Sequence, residues 1–329
     1  MILGLPFQLF VAPILTFLIA YLTIFWLIRL GNSLNIIDIP NDRSLHAKPI
    51  PRTGGLGLIG AIFITGLLFV DIFSVPVFIG LAFVSAISFA DDIKPLPVWL
   101  RLSIHTIAAM LLVVNLFLDT HSWLFVITVG LGIIWITNLY NFMDGSDGLA
   151  GGMTAIGFGY YGIAATLAGD IDFAAINFSI AASALAFLRF NFYPAKIFMG
   201  DVGAISLGFL AGALGLLGWK NNLWSLWLPL LIFSPFIADA TVTFIKRLLR
   251  GKKIWQAHNE HYYQRLIKGG LGHRNTALLA YILMLVVGGT AILSAKFEFA
   301  QQSWISSMWG IAYLVIMHAF DRHQSHHNR

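Results

Sequence analysis

The chain of 329 residues contains no cysteine, which excludes a disulfide framework, a thiolate zinc site and a cysteine nucleophile. It is also poor in charge. Asp, Glu, Lys and Arg together make up 11% of the residues, where a soluble protein carries about a quarter. That deficit excludes an ordinary soluble fold, because there is too little charge to cover its surface. The segments of about ten alternating residues that mark a transmembrane β-barrel are missing. No convincing internal repeat is present either, so the two related halves of many secondary transporters find no support. The first apolar run, about 7–30, is too long for the core of a signal peptide and has neither a basic flank nor a small-residue cleavage site. It is read as a retained helix.

What remains is apolar. The chain is 58% hydrophobic with a mean hydropathy of +0.81. These values imply an all-α, polytopic transmembrane helical bundle, with 1–329 forming one integral-membrane domain. At about 20 residues per crossing, about eleven spans are expected, at 7–30, 54–72, 75–90, 99–118, 123–140, 149–168, 173–190, 202–219, 223–245, 276–295 and 303–320. The longest interval between spans, 246–275, is too short for a soluble domain, and the 321–329 tail is polar. With the N-terminus outside and the C-terminus in the cytoplasm, only Lys220 and Lys296 of the 20 basic residues fall in outer loops. The pI of about 9.5 is therefore a topology signal and does not point to nucleic acid. Basic inner loops favour anionic lipid and phosphate-bearing substrates.

Acidic residues then stand out by position. Asp91 and Asp92 follow the third expected span, Asp144 and Asp147 follow the fifth, and Asp201 precedes the eighth. A lone aspartate at a helix end is most simply a solvated loop residue or a cap. Three clusters on one expected face point instead to a site, since ionisable groups beside spans mark function. "FADDIKPLPVWLRL" offers adjacent carboxylates, then Lys94, a Pro-x-Pro turn and Arg101; neighbours on a helix point about 100° apart, so Asp91 and Asp92 should do different jobs. "NLYNFMDGSDGLAGG" contains Asn138 and Asn141 and spaces Asp144 and Asp147 three apart, on one face if the segment is helical. "NFYPAKIFMGDVGAISLGF" opens on Asn191 and sets Asp201 between two glycines where a helix starts, a place suited to an anion or a metal-bound phosphate. Grouped carboxylates among basic residues suggest a hard cation, Mg2+ with Mn2+ as a substitute, completed by water and phosphate oxygens.

Two loops supply the positive charge. "DIPNDRSLHAKPIPRTGGLG" carries Arg43, His46, Lys48 and Arg52. In "KRLLRGKKIWQAHNEHYYQRLIKGGLGHRN", His258, His261 and Arg265 are spaced to share one helical face as an anion clamp. His105, inside the fourth expected span, reads as a helix-packing residue, and the histidines of the terminal "DRHQSHHNR" as part of a disordered tail.

Taken in order, these motifs resemble those of the polyprenyl-phosphate N-acetylhexosamine-1-phosphate transferases. That family includes the undecaprenyl-phosphate GlcNAc-1-phosphate transferases and the phospho-MurNAc-pentapeptide translocase. The similarity covers essentially the whole chain: the loop from Arg43 to Gly55, Asp91-Asp92, the run from Asn138 to Ala150, the run from Phe198 to Gly203, and a histidine loop. The resemblance implies that undecaprenyl phosphate attacks the β-phosphorus of a UDP-N-acetylhexosamine, giving undecaprenyl-diphosphate-sugar and UMP with magnesium present. It implies a site on the cytoplasmic face of a bacterial inner membrane. By the same resemblance, Asp201, with Asp144, holds the metal, and Asp91 or Asp92 orients or deprotonates the acceptor phosphate. Asn138, Asn141, Asp144, Asp147 and Asn191 position the donor, with Arg43, His46, Lys48, Arg52 and Lys94 around the phosphates and His258, His261 and Arg265 on the sugar or diphosphate. The last motif departs from the denser histidine cluster common in the family. Its form, "HNEHYYQRL", is similar to the branch that initiates O-antigen and related surface glycans, and unlike the peptidoglycan translocase. A homodimer is compatible with this reading.

Other classes fit less well. An ion-coupled transporter would place its acids near mid-membrane. An intramembrane aspartyl protease needs a glycine where Phe198 stands, and a CDP-alcohol phosphotransferase needs D-G-x-x-A-R, which is absent.

Overall fold

The structure is a computed structural model that describes residues 7–30, 36–40, 49–69, 74–253 and 258–327. It is a helical bundle, as the composition requires, with one short hairpin. The helices are α1 (Gln8–Leu30), α2 (Gly54–Leu68), α3 (Val75–Ile93), α4 (Val98–Phe117), α5 (Trp123–Phe142), α6 (Leu149–Ala168), α7 (Ile171–Asn191), α8 (Gly200–Lys220), α9 (Trp227–Ile232), α10 (Ser234–Leu249), α11 (Tyr262–Leu266), α12 (Gly272–Ser294) and α13 (Phe299–His327). Strands β1 (Ile37–Asp38) and β2 (Ile50–Pro51) pair antiparallel between α1 and α2.

Eight of the helices, counting α11 and α12 as one continuous segment, are long and apolar enough to cross a membrane, and the chain is a multi-pass membrane protein. Three of the expected spans lie outside that set. The 54–72 run yields only the 15-residue α2. The 149–168 run forms α6 at full length, but its glycines, threonines and tyrosines dilute its apolarity. The 223–245 run breaks at Phe233 into α9 and α10, because Pro235 has no N–H with which to continue the helix. The 75–90 run extends instead to Ile93, so Asp91 and Asp92 lie within the last turn of α3 rather than beyond it.

Helix α8 is the axis of the bundle, flanked by α2, α3 and α5. It is 83% buried along its apolar window, against 11% for α13, which lies at the periphery. Hydrophobic attraction between helices is weak in lipid, so small residues and buried hydrogen bonds set the packing. A Cβ on Gly55 would lie 2.4 Å from the backbone nitrogen of Gly203, so α2 and α8 approach closely where both carry glycine. Ser85 and Ser206 hydrogen-bond between α3 and α8 at 2.8 Å, and Tyr140 and Thr154 between α5 and α6 at 2.8 Å.

Candidate active site

The hairpin and the start of α8 are sewn together before any functional side chain is considered. The Phe198 N–H donates to Pro51 O at 2.8 Å, Gly54 N–H to Phe198 O at 2.9 Å, and Gly55 N–H to Met199 O at 2.8 Å. Arg52 directly follows β2, and its N–H donates to Ile36 O at 3.0 Å, which hangs its side chain over the N-terminus of α8. Gly200 sits beneath, with φ +71°. A Cβ there would lie 2.5 Å from Arg52 O and 2.9 Å from Asp92 Oδ2, so both conformation and space demand glycine.

Four helix ends meet at this point. Asp92 accepts the backbone N–H groups of Asp201 at 3.1 Å and Val202 at 3.0 Å, filling two of the unpaired donors that open α8. One Nη of Arg52 bridges Asp92 at 3.1 Å and Asp201 at 3.3 Å. One Nη of Arg101, in the first turn of α4, bridges Asp91 at 2.7 Å and Asp201 at 3.4 Å. Asp91 also accepts the Leu96 N–H at 2.6 Å, which closes the α3–α4 turn. The adjacent aspartates thus have separate partners, and Asp201 is held on both oxygens by different arginines. Arg101 joins the carboxylate cluster, whereas Lys94 stands exposed and makes no ion pair among the described residues. The signal was available: Arg101 follows the Pro95–Pro97 turn in the first turn of α4, opposite the end of α3.

Asp144 faces the same cluster from the turn after α5. Burial first, and then the negative charge of Asp201, push its carboxyl well above the usual range; Arg52 works against this, and Asp92 and Asp38 add to it. No hydrogen bond reaches its carboxylate among the described residues, so its environment is purely electrostatic. Arg52 is pushed up: burial opposes its charge, but Asp92, Asp201, Asp38 and Asp144 together prevail.

Asp147 does not share that face. The 143–148 segment is a turn, closed by Gly148 at φ +77°, and the two carboxylates diverge. Asp147 accepts the Ala195 N–H at 2.9 Å and lies 3.7 Å from His273, whose ring also meets Ser146 at 3.1 Å. Asn191 is committed to backbone at both ends of its amide. It accepts the Gly148 N–H at 2.9 Å and donates to Ile197 O at 2.9 Å, which makes it a strut between two loops rather than an open ligand. Asn138 donates to Ile134 O at 2.7 Å, and with Asn141 it lines a cavity beside Asp201. Arg43, His46 and Lys48 lie outside the described residues.

The histidine loop is not one helical face. His258 precedes α11, His261 caps it, and Arg265 turns away to Asp321 at 2.6 Å and Gln324 at 2.7 Å on α13. The clamp of three is therefore a pair: the His258 and His261 rings lie 4.8 Å apart, and His261 stacks on Phe142 at 6.1 Å, two residues before Asp144. Burial first, then the neighbouring His261 and Arg247, lower the His258 pKa to about 4. Asp239 on α10, which is not among the residues expected from the sequence, orders this loop. It accepts the N–H groups of Tyr262 and Tyr263, each at 2.9 Å, and lies 3.3 Å from His261 Nδ1. Its signal was a lone acid in an otherwise apolar span. Tyr263 then donates to Phe142 O at 3.1 Å and fills the space over Gly145.

Among the described residues no three or more His, Cys, Asp or Glu side chains converge as a ready metal cage. The arrangement offers instead a small set of carboxylates whose charge two arginines share.

Comparison with known proteins places these residues in context. The model of glycosyl transferase family 4 matches residues 74–218, a stretch that includes Asp91, Asp92, Arg101, Asp144 and Asp201. The chain is 30% identical over 283 residues to a probable undecaprenyl-phosphate N-acetylglucosaminyl 1-phosphate transferase of Bacillus subtilis, covering 80% of this chain and 79% of that protein. It is 29% identical over 306 residues to a decaprenyl-phosphate N-acetylglucosaminephosphotransferase of Mycobacterium leprae, covering 78% and 76%. To a phospho-N-acetylmuramoyl-pentapeptide-transferase of Listeria welshimeri it is 33% identical over 149 residues, 44% of each chain.

Proposed function

The chain belongs to glycosyl transferase family 4, and from that membership we propose that it moves an N-acetylhexosamine-1-phosphate from a UDP-sugar to undecaprenyl phosphate. An oxygen of the lipid phosphate attacks the β-phosphorus, the bond to the bridging oxygen breaks, and UMP leaves. Undecaprenyl-diphosphate-sugar remains in the membrane. The coarser activity, transfer of a phospho-sugar onto a polyprenyl phosphate, is that of the family.

The observation that carries this reading is the double grip of Arg52 and Arg101 on Asp201, with Asp91, Asp92 and Asp144 around it. Phosphoryl transfer needs positioning and charge neutralisation more than covalent chemistry. In a partly buried site, preset charges act more strongly than in water. Asp92 fixes the first turn of α8. Asp91 and Arg101 orient the acceptor phosphate, and Arg52 reaches the donor diphosphate from the hairpin. His258 and His261 contact the sugar or its phosphate from the loop that Asp239 holds.

The residues present suit magnesium. Among the described residues the Asp144 carboxylate takes no hydrogen bond and Asp201 opposes its ionisation, which a cation held by the two would relieve. Magnesium takes one or two protein carboxylates and fills its shell with water and phosphate oxygens. When bound it would polarise the reacting phosphate and neutralise developing charge.

Relatives named for N-acetylglucosamine transfer to a polyprenyl phosphate align over about four-fifths of this chain, the pentapeptide transferase over less than half, and this favours the first branch. The "HNEHYYQRL" loop leads us to place the protein at the first membrane step of O-antigen or a related surface glycan. The site then faces the cytoplasm in a bacterial inner membrane. The test is a panel of radiolabelled UDP-N-acetylhexosamines incubated with undecaprenyl phosphate, magnesium and purified protein, read as UMP release and label in the organic phase. One donor should label the lipid. If UMP is not released from any donor, the assignment fails.

A further inference from the structure

One helical turn below the carboxylates, toward the middle of the bundle, lies a second polar layer. Ser88 is four residues before Asp92 on α3, His105 four after Arg101 on α4, Asn138 three before Asn141 on α5, and Ile205 four after Asp201 on α8. Ser88, His105, Asn138 and Ile205 all border one chamber of ≈ 90 Å³, with Arg101, Asn141 and Asp201 forming its rim. The volume is that of roughly three waters, or of one compact tetrahedral group.

The chamber has unmet polar demand. Ser88 is 2% exposed and His105 4%, yet Ser88 Oγ and His105 Nδ1 take no hydrogen bond among the described residues. An orphaned buried polar atom forfeits its hydration without a replacement bond. Two on one small cavity, both near-fully buried, mark a place that something polar fills. Asn138 stands within hydrogen-bonding reach of His105, with its amide nitrogen already spent on Ile134 O. His105 is therefore more than the packing residue its sequence context suggested.

We propose that this chamber is the seat of the terminal phosphate of the lipid acceptor, a subsite for a phosphate monoester on a long apolar chain. The inference rests on the transferase reading above and goes beyond it in naming the subsite and the residues that line it. Arg101 supplies the cation, and its 3.4 Å contact with Asp201 is the looser of its two and the one a phosphate oxygen competes for. Ser88 and the Asn141 amide supply neutral donors, and His105 meets the remaining oxygen or its proton. A nucleotide sugar esterified at both ends of its diphosphate cannot turn into so small a chamber, but a terminal phosphate can. The α4 wall opens the way to lipid: Val98 and Leu102 line the chamber and are 49% and 44% exposed on an apolar helix flank. Asp201 on the rim repels an incoming anion, so occupancy should rise when a divalent cation is present.

The test measures binding to the purified full-length protein by 31P NMR titration, with magnesium and with chelator. The probes are dodecyl phosphate, its methyl diester and inorganic phosphate. Dodecyl phosphate should saturate in magnesium, with the diester and inorganic phosphate at least about tenfold weaker. Ser88→Leu and Ile205→Phe, which fill the chamber from opposite walls, and His105→Leu should each weaken dodecyl phosphate about tenfold or more. His105→Gln, which keeps polar atoms there, should stay within about threefold. In turnover the same variants should raise the acceptor KM and leave the donor KM nearly unchanged. Undiminished dodecyl phosphate binding in folded filled variants would reduce the chamber to a water pocket. Equal binding of inorganic phosphate would make it a free-anion site. Parallel loss of donor binding would assign it to the donor or to the fold. Absence of turnover with every UDP-sugar would sink the transferase reading while the binding titration still decides the subsite.

Discussion

Asp92 Oδ1 accepts the backbone N–H of Asp201 at 3.1 Å, and both side chains share one Nη of Arg52. Two aspartates far apart in the chain are thus joined through a helix N-terminus, and the rest of the site is arranged around that joint.

Removing the joint should cost stability as well as turnover. Asp92→Ala leaves two N–H groups of α8 and one bond of Arg52 unmet, a loss of about 1–2 kcal/mol for the cap alone. A lowered unfolding midpoint in detergent, together with lost UMP release, is the expected result. An unchanged midpoint would show that α8 does not depend on this cap.

Gly200 admits no side chain. At φ +71°, with Arg52 O 2.5 Å from a built Cβ, Gly200→Ala must displace the hairpin or the start of α8. We expect about 1–3 kcal/mol of destabilisation and loss of turnover, measured by thermal unfolding and UMP release. A variant with wild-type stability would mean that the hairpin yields freely.

Asp144 should be worth more to the reaction than to the fold. Its raised pKa means the fold favours the neutral acid, a contribution that is full below the ordinary carboxylate range and lost as the pH rises toward the raised value. Above the ordinary carboxylate range the unliganded protein is therefore destabilised by this group. Asp144→Asn should raise the unfolding midpoint at pH 7.5 without magnesium, with the difference shrinking in acid, and should abolish turnover. A lower midpoint at pH 7.5 would contradict this account.

Asp147→Asn should behave differently from Asp144→Asn. Its carboxylate ties down Ala195 and faces His273, so its loss loosens a support without removing charge from the cluster. Partial turnover, about tenfold below wild type, with an ordinary response to magnesium, is the expected outcome. Complete inactivity with an intact midpoint would assign Asp147 a direct role.

His258 supplies a pH-dependent test of the loop. Unfolded, a histidine titrates near pH 6.5; in the fold this one does so at about 4. Stability is lost as the pH falls from about 6.5 through that value, because the unfolded chain takes up the proton first. His258→Gln should flatten the fall in unfolding midpoint between pH 7.5 and 4.5. Parallel curves for both proteins would show that His258 ionises as freely in the fold as in water.

Much of this was legible before any coordinates. Hydropathy located the membrane helices, and spacing picked out Asp91, Asp92, Asp144 and Asp201. What hydropathy could not do was rank the helices: α8, at the axis, and α13, at the edge, are both apolar because lipid is as apolar as a core. Helix phase misled at Asp144 and Asp147, where Gly148 ends the regular geometry that the spacing argument assumed. It misled again in the histidine loop, since α11 starts only after His261. Sequence spacing ranks Lys94 nearer the carboxylates than Arg101, yet the proline turn folds Arg101 back onto Asp91 and Asp201. The two-residue strands β1 and β2 are too short to leave a periodic trace, yet they carry Arg52 to its place.

The loop around His258 and His261 is anchored from behind. Asp239 on α10 holds its backbone and Asp321 on α13 holds Arg265, whereas α3 and α8, which carry Asp91, Asp92 and Asp201, contribute no hydrogen bond to it among the described residues. The loop and the aspartates of α3 and α8 are thus mounted on separate scaffolding, joined where Tyr263 donates to Phe142 O beside the Asp144 turn. If the loop does read the sugar, substitutions within it would change the donor without touching the carboxylates on α3 and α8.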